Sequence, residues 1–550
     1  VTFPATIQDI KVELLGVVTD AVWTDVTTYV QRRDGGGIQI TRGRADETST
    51  VQPSKATLNF NNRDGRFSPR NPNGAYYGRI GRNTQMRVSI LSGNYRFWGE
   101  VSAWPVQQDI TGTDVWVEVE AAGILRRLGQ GAAPLPSAMR RRFTSRASVV
   151  AYWPAEDGDL STSISSALVS GLPMSINGIP DLASYTGLFV STLPIPQVNG
   201  ATFKGTVKKY TATNSVHLGF FSSIPAAGAT NGAIVARLST GGSIVRWDLY
   251  YLTASGGSLG VRGYDIDGVL VFDPGSSAIN MNGNDQFIEL SLVDSGADIV
   301  VWILAYGIFT KGAGGNTWTA TTQNVTVATA VQMNPNGTLD DVVQGQIVVA
   351  SDTGFFTTGT NDVAAINAYA GETAAARISR LCSENSITYT LAAGAAADTP
   401  LMGPMAPDTL LNSLQECVDA DLGVLYEPRG SFGLTYRTRA ASYNQVATAT
   451  ASVTAHEMGS LQPVPDDLGT RNDITVNRKR GGTVRVTQDT GPLSTLAPPL
   501  GVGTYDVQVD LSLYLDTDLN NHAGWRLRLG TIDEDRFPTI DFNLANPEIV

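Results

Sequence analysis

The sequence predicts a mainly β, multidomain protein, and three observations carry that reading. At 550 residues the chain is about twice what one hydrophobic core organises. Glycine contributes 57 residues and charged side chains only 16%, a turn-rich composition rather than a helical or disordered one. Short β-prone runs recur between Gly, Asn, Asp and Pro turns, and helical periodicity emerges in only three stretches. The longest apolar run, Ile299 to Phe309, is too short to span a bilayer, so no integral membrane segment is expected. The N-terminus lacks the pattern of a secretory signal. No initiator Met is present, so at least one residue is expected to have been removed, and the sequence ends at Val550 just after a strand-like run, which leaves open whether the native chain continues.

In the first 130 residues, Ile38–Thr41, Ala56–Phe60, Met86–Leu91 and Val115–Ala121 read as strands. Val115, Val117 and Val119 alternate with Trp116, Glu118 and Glu120, giving one buried and one wet face. The Asn/Asp/Gly/Pro-rich stretch 59–78 reads as a long ordered loop, its Asn59, Asn61, Asn62 and Asp64 as Asx turns. Residues 129–148 change composition sharply and read as a linker with a basic knot, Arg140 to Arg142. Residues 149–352 contain only two glutamates, Glu156 and Glu289. Their strand-like runs Ala233–Leu238, Trp247–Leu252, Phe287–Leu292, Ile299–Ala305 and Gln346–Ala350 argue for an independent β-sandwich.

A helix is expected within 371–386, with Ala374, Ile378, Leu381 and Cys382 on one face. A second starts at Asp408, the expected N-cap, with the stripe Leu410, Leu411, Leu414, Cys417 and Val418. Strands Gly423–Tyr426 and Gly433–Arg437 follow, then Ile474–Asn477, Thr483–Thr487 and Tyr505–Leu511. A helix from Thr517 to about Leu529 and a last strand, Thr539–Leu544, close the chain.

Two cysteines, Cys382 and Cys417, exclude a disulfide framework or thiolate cluster, and their place on apolar stripes makes them buried core residues. His217, His456 and His522 are scattered, and His456-Glu457 lacks the second His of a zinc-protease helix. Net charge is +6 over residues 1–148, −8 over 149–352 and −10 over 353–550. A chain of net charge −12 is not built to grip nucleic acid.

The run ITRGRADETSTVQPSKATLNFNNRDGRFSPRNPNGAYYGRIGRNTQMRVSI (40–90) resembles the N-terminal domain of actinobacteriophage minor tail proteins, as does EAAGILRRLGQG (120–131). AYAGETAAARISRLCSENSI (368–387) and LLNSLQECVDADLGVLYEPRGSFGLTYRTR (410–439) resemble the central domain of phage tail-tip (baseplate) hub proteins. NDITVNRKRGGTVRVTQD (472–489) resembles the strand pair that follows there. VVAYWPAEDGD (149–159) and LDDVVQGQIVVA (339–350) resemble the opening and closing of a laminin-G-like, concanavalin-type jelly roll, which makes Trp153 a core residue.

The resemblance implies a β domain of tail-tube type over 1–130, a linker at 131–148 and an inserted jelly roll at 149–352. A hub α+β domain over 353–440 and a second tube-like β-barrel domain over 441–550 follow. It also implies a structural, non-enzymatic virion protein of the tail tip, made in the host cytoplasm. Such a hub is a homotrimer around a DNA channel, beside a distal tail protein, a tape measure, and tail fibres or receptor-binding proteins. An acidic lining would keep DNA from sticking. The alternatives are an adhesin whose main role is host-glycan recognition, or a tail-associated glycan hydrolase.

Hydrolysis is disfavoured because retaining chemistry needs two carboxyl groups about 5 Å apart. Glu156 and Glu289 lie far apart in sequence, outside the E-x-D-x-x-E strand of concanavalin-like glucanases. Gly256-Gly257-Ser258-Leu259-Gly260 matches the nucleophile-elbow pattern but sits between two strand-like runs, so it reads as a hairpin turn. No cofactor is expected. Asp265, Asp267, Asp294 and Asp298 are the candidates for a Ca²⁺ site, with turn-stabilising aspartates as the plainer reading. Trp247, Tyr250, Tyr251, Tyr264 and Trp318 are the candidates for stacking on a host cell-surface glycan.

Overall fold

The structure is a computed structural model. It describes residues 9–33, 36–44, 49–90, 93–186, 191–308, 313–352, 360–443, 450–452, 454, 457–464, 467–537 and 539–542. The chain is mainly β. It divides into two compact units, Val1–Ala133 with Glu372–Gly403 and Thr409–Val550, and Pro134–Gly371 with Pro404–Asp408. Along the sequence, the second unit interrupts the first.

The first unit opens with β1 (Ile10–Leu15), β2 (Trp23–Asp25), β3 (Val30–Gln31), β4 (Gln39–Gly43) and β5 (Gln52–Asn61). Then come β6 (Thr84–Ile90), β7 (Asn94–Val101), β8 (Val106–Gln108) and β9 (Val115–Ala122). They form one sheet in the order β2-β1-β6-β7-β9-β5-β3, with β4 also on β5 and β8 also on β9. On β9, Val117, Val119 and Ala121 are buried while Glu118 and Glu120 are exposed, the alternation the sequence predicts. The loop expected from residue 59 begins only after β5, because Asn59 and Asn61 pair with β9 as strand residues. Buried Asn62 accepts the Phe67 N–H at 2.8 Å and donates to Ser68 Oγ at 2.9 Å, which seats Phe67 on Phe60 with ring centroids 4.4 Å apart. Helix α1 (Ile124–Leu128) follows β9.

In the second unit the basic knot is a helix, not a linker. Helix α2 (Ala138–Thr144) buries Ala138, Met139 and Phe143. Its Ser137 N-cap hydrogen-bonds Glu156, and Arg142 reaches buried Asp362 at 2.5 Å. The sandwich comprises β10 (Val149–Trp153), β11 (Ser163–Ile164), β12 (Met174–Asn177), β13 (Asp181–Tyr185), β14 (Ile195–Gln197), β15 (Thr202–Thr206), β16 (Ser215–Ser223) and β17 (Ile234–Gly242). It continues through β18 (Arg246–Leu252), β19 (Ser258–Tyr264), β20 (Leu270–Phe272), β21 (Asp285–Asp294), β22 (Asp298–Gly307), β23 (Ala313–Thr321), β24 (Val325–Met333) and β25 (Val343–Ala350).

One sheet runs β13-β14-β25-β16-β21-β22-β23, with β10 on β25; the other runs β11-β12-β15-β24-β17-β18-β19-β20. Their inner faces share a core that includes Trp153, Phe203, Phe220, Trp247, Leu290 and Ile303. The outer face of the first sheet is also covered. Phe221, Phe287 and Val348 pack there with Met139 and Phe143 of α2 and with Ile366 of helix α3 (Thr360–Ile366). Both helices therefore belong with the sandwich, which is wider than residues 149–352. The apolar run 299–309 begins as β22, with Ile299, Val301 and Ile303 in the core. No helix among the described residues is long and apolar enough to cross a membrane.

The first unit resumes with α4 (Ala374–Glu384), β26 (Tyr389–Ala393), α5 (Leu410–Asp421), β27 (Val424–Tyr426) and β28 (Leu434–Arg437). Strand β28 pairs parallel to β26 and antiparallel to β27. The N-cap of α5 is Thr409, not Asp408. Its hydroxyl accepts the Asn412 N–H at 3.2 Å, as Thr373 does for Ala376 on α4 at 3.3 Å. A last sheet of β29 (Asp473–Arg478), β30 (Thr483–Thr487) and β31 (Asp506–Leu511) packs on α6 (Leu519–Gly530). Of the strand expected at 539–544, Phe542 forms an isolated bridge to Met458, and 543–544 lie outside the described residues, as does His456.

Cys382 and Cys417 are buried on α4 and α5. Burial pushes their thiols up to about 11 and about 12. Thiol labelling of the native protein is therefore expected to be slow and to accelerate sharply on denaturation. Cys417→Ala is expected to cost on the order of 1 kcal/mol in a denaturant titration.

Candidate functional site

The outer face of the second sheet carries a continuous band of polar and charged side chains. On β18, Trp247, Leu249 and Tyr251 point into the core, so period-two alternation turns Arg246, Asp248 and Tyr250 outward. Register extends that face across the sheet. Ser175, Lys204, Gln332, Arg237, Asp248 and Arg262 are successive cross-strand partners from β12 to β19. Beside them run Thr206, Ala330, Ser239, Arg246, Tyr264 and Leu270. Residues 149–352 hold seven Lys and Arg, and four of them, Lys204, Arg237, Arg246 and Arg262, share this face.

The guanidinium groups are held flat and oriented. Arg237 grips Asp248 with two bonds, Nε to Oδ1 at 2.6 Å and Nη2 to Oδ2 at 3.0 Å. Arg246 lies over the Tyr264 ring at 3.7 Å, and Arg262 over the Tyr250 ring at 3.9 Å. Asp273 accepts from Tyr250 Oη and Arg262 Nε, both at 2.9 Å. Burial alone would raise the Asp273 carboxyl, but these two donors outweigh it and hold it below the ordinary range. It is therefore an ionised acceptor, not a proton donor, near neutral pH. Arg246 and Arg262 keep 36% and 37% of their side-chain surface exposed, so the stacked planes stay accessible. Oriented donors beside flat aromatic and guanidinium surfaces suit hydroxyl-rich ligands.

One glycine sets this geometry. A Cβ on Gly260 would sit 2.4 Å from the Tyr250 ring, so only glycine lets that ring lie across β19. Gly260→Ala is expected to displace Tyr250 and Arg262 and to cost about 1–3 kcal/mol in thermal or denaturant unfolding.

The aromatic candidates separate by face. Trp247 and Tyr251 are core residues with no ring face open to a sugar. Tyr250 is nearly buried beneath Arg262, and Trp318 is half-buried against the core from β23. Tyr264 shares the outer face with Tyr250 and remains half-exposed. The missed partners are Arg237, Arg246, Asp248, Arg262 and Asp273. The signal for three of them was local, because the alternation in RWDLYYL and SLGVRGY already puts Arg246, Asp248 and Arg262 on the side of Tyr250 and Tyr264.

The aspartates considered for Ca²⁺ bind backbone amides. Asp265 accepts from Asp267 and Val269, Asp294 from Gly296 and Val325, and Asp298 from Thr322. Among the described residues no group of three or more His, Cys, Asp or Glu is placed to hold a metal. Gly256 to Gly260 is the β18–β19 hairpin, with Ser258 buried.

The two glutamates serve different contacts. Glu156 accepts from Ser137, Thr192, the Leu193 N–H and Gln346. Glu289 is buried on β21, 2.9 Å from His217 Nδ1. Burial pushes Glu289 up to about 7, against the opposing pull of His217. An acid raised by folding is protonated in the folded state over a range where the unfolded state has ionised. Its contribution to stability is thus expected to fall between about pH 4.5 and 7 and then level off. The pH dependence of unfolding, compared with Glu289→Gln, measures it.

No family model matches this sequence, and no curated protein matches it. Among solved structures, the chain is similar to the exoplasmic/lumenal domain of VIP36 in its Ca²⁺-bound form, at 7% identity over 38% of this chain and 91% of that one, TM-score 0.25. It is similar to alginate lyase vAL-1 from Chlorella virus, at 10% identity over 36% and 92%, TM-score 0.21. It is also similar to the CBM2 module of the evolved Dit of Lactobacillus casei BL23 phage J-1, at 10% identity over 40% and 98%, TM-score 0.20. At these TM-scores the likenesses carry no argument about function.

Proposed function

We propose that this chain is a structural protein of a bacteriophage tail tip, a hub that carries a glycan-binding sandwich. The observation that carries the reading is where the hub-like segments meet. Residues 40–90, 120–131 and 410–439, which resemble tail proteins, belong to one compact unit although the sandwich separates them in sequence. Glu427 fastens them, its carboxylate accepting the backbone N–H groups of Ser54 and Leu125, each at 2.6 Å. In this reading the first unit assembles as a homotrimer around the DNA channel, next to the distal tail protein, tape measure and fibres. The sandwich acts by binding, with no catalytic role and no cofactor, and its ligand face is the Arg/Tyr/Asp sheet surface.

Deleting residues 134–371 with a Gly/Ser join tests the division of labour. Assembled tails that hold DNA but adsorb poorly support it; failure to assemble any tail rejects it. Tyr264→Ala and Arg246→Ala in the full chain should weaken adsorption at least tenfold while leaving particle yield unchanged, and unchanged adsorption removes glycan binding from this face. Mass photometry of isolated tail tips checks the trimer.

A further inference from the structure

The first unit contains a cleft of about 330 Å³, lined in part by Arg42, Gln52, Tyr426, Glu427 and Arg429. Arg42, at the end of β4, is half-buried. Its Nη2 donates to the Glu427 carbonyl at 2.6 Å and its Nη1 to the Arg96 carbonyl at 3.1 Å, so neutral backbone groups fix the guanidinium. Arg429 is exposed in the turn between β27 and β28. Among the described residues, neither Arg42 nor Arg429 forms an ion pair. The Glu427 carboxylate is occupied by Ser54 and Leu125. Burial, and after it the charge of Arg429, pushes Arg42 below the usual guanidinium range, and Arg96 is lowered by the same two causes. The Glu427 carboxylate at the same cleft offsets part of this, but its oxygens are engaged by Ser54 and Leu125, so Arg42 and Arg429 share one concave surface that a further negative charge would relieve.

We infer that this cleft binds an oxyanion, a phosphate or carboxylate group, between Arg42 and Arg429. Guanidinium forks match both groups through paired N–H···O bonds.

Thermal unfolding of the full-length protein tests this, with inorganic phosphate and acetate each compared with chloride at equal ionic strength. Exposure of the two thiols reports on this unit. A rise in Tm of roughly 2–4 °C is expected with a bound anion in excess. Phosphate acting alone identifies a tetrahedral ligand; acetate acting as well identifies a carboxylate. Arg429→Gln should abolish the rise while melting at or slightly above the wild-type temperature in chloride, because it removes repulsion. No rise with either anion, or an equal rise in Arg429→Gln, overturns the inference.

Discussion

Asp362→Ala is expected to destabilise the sandwich unit by about 3–5 kcal/mol, among the largest single-residue effects in the protein. Asp362 is fully buried on α3, where it pairs with both Arg142 and Arg146. Arg146 also reaches Asp352, at the end of the chain's return from β25. Removing the carboxylate strips both Arg142 and Arg146 of a close ion partner, next to the apolar cluster that holds Phe143, Phe287 and Ile366. Hydrogen exchange should therefore rise first in α2, α3 and the strands beneath them, β16 and β25. A loss below about 1 kcal/mol would mean that water reaches these groups and screens them as at a surface.

Glu427→Gln is expected to cost the first unit about 3 kcal/mol, despite being nearly isosteric. The site needs an acceptor at both side-chain oxygens, since Oε1 receives the Leu125 N–H and Oε2 the Ser54 N–H and hydroxyl. Glutamine offers one acceptor and sets an NH₂ against an N–H donor. The carboxylate also lies at the first turn of α1, where a negative charge is favoured. Gly123→Ala should act similarly, because its Cβ would fall 2.0 Å from Glu427 Oε2. Accelerated labelling of Cys382 and Cys417 reads out both variants, since both thiols belong to this unit.

The elements that declare themselves over a long stretch were legible in the sequence. β9 announces its period, as do α4 and α5, because one face of each meets a core. Helices α2 and α3 did not. Each spans seven residues, and the buried charge that holds α2 in place sits on Asp362, 220 positions from Arg142. Nothing local distinguishes a surface arginine run from one that waits for a distant carboxylate. The candidate site was half legible. Aromatic content drew attention to β18, yet grouping Trp247 with Tyr250 crossed the two faces of one strand. Joining Lys204 to Arg237 needed the register of both strands on Gln332 of β24, far along the chain from either, which pattern alone does not supply.

The interruption of the first unit has a consequence for biosynthesis. Ser54 leaves the ribosome 373 residues before its partner Glu427. At about 5–20 residues per second the N-terminal sheet waits roughly 20–75 s for the hairpin that completes it. The inserted sandwich shortens the search that follows. Its own ends are tied together as it folds, with α2 against α3, the Leu135 N–H bonded to the Asp408 carbonyl and the Met405 N–H to the Ala368 carbonyl. A flexible loop of the same length would resist closure by roughly 3 kcal/mol more than a short one. Once folded, the sandwich acts as a short tether, so the nascent N-terminal sheet and its late-arriving hairpin meet as near neighbours in a chain.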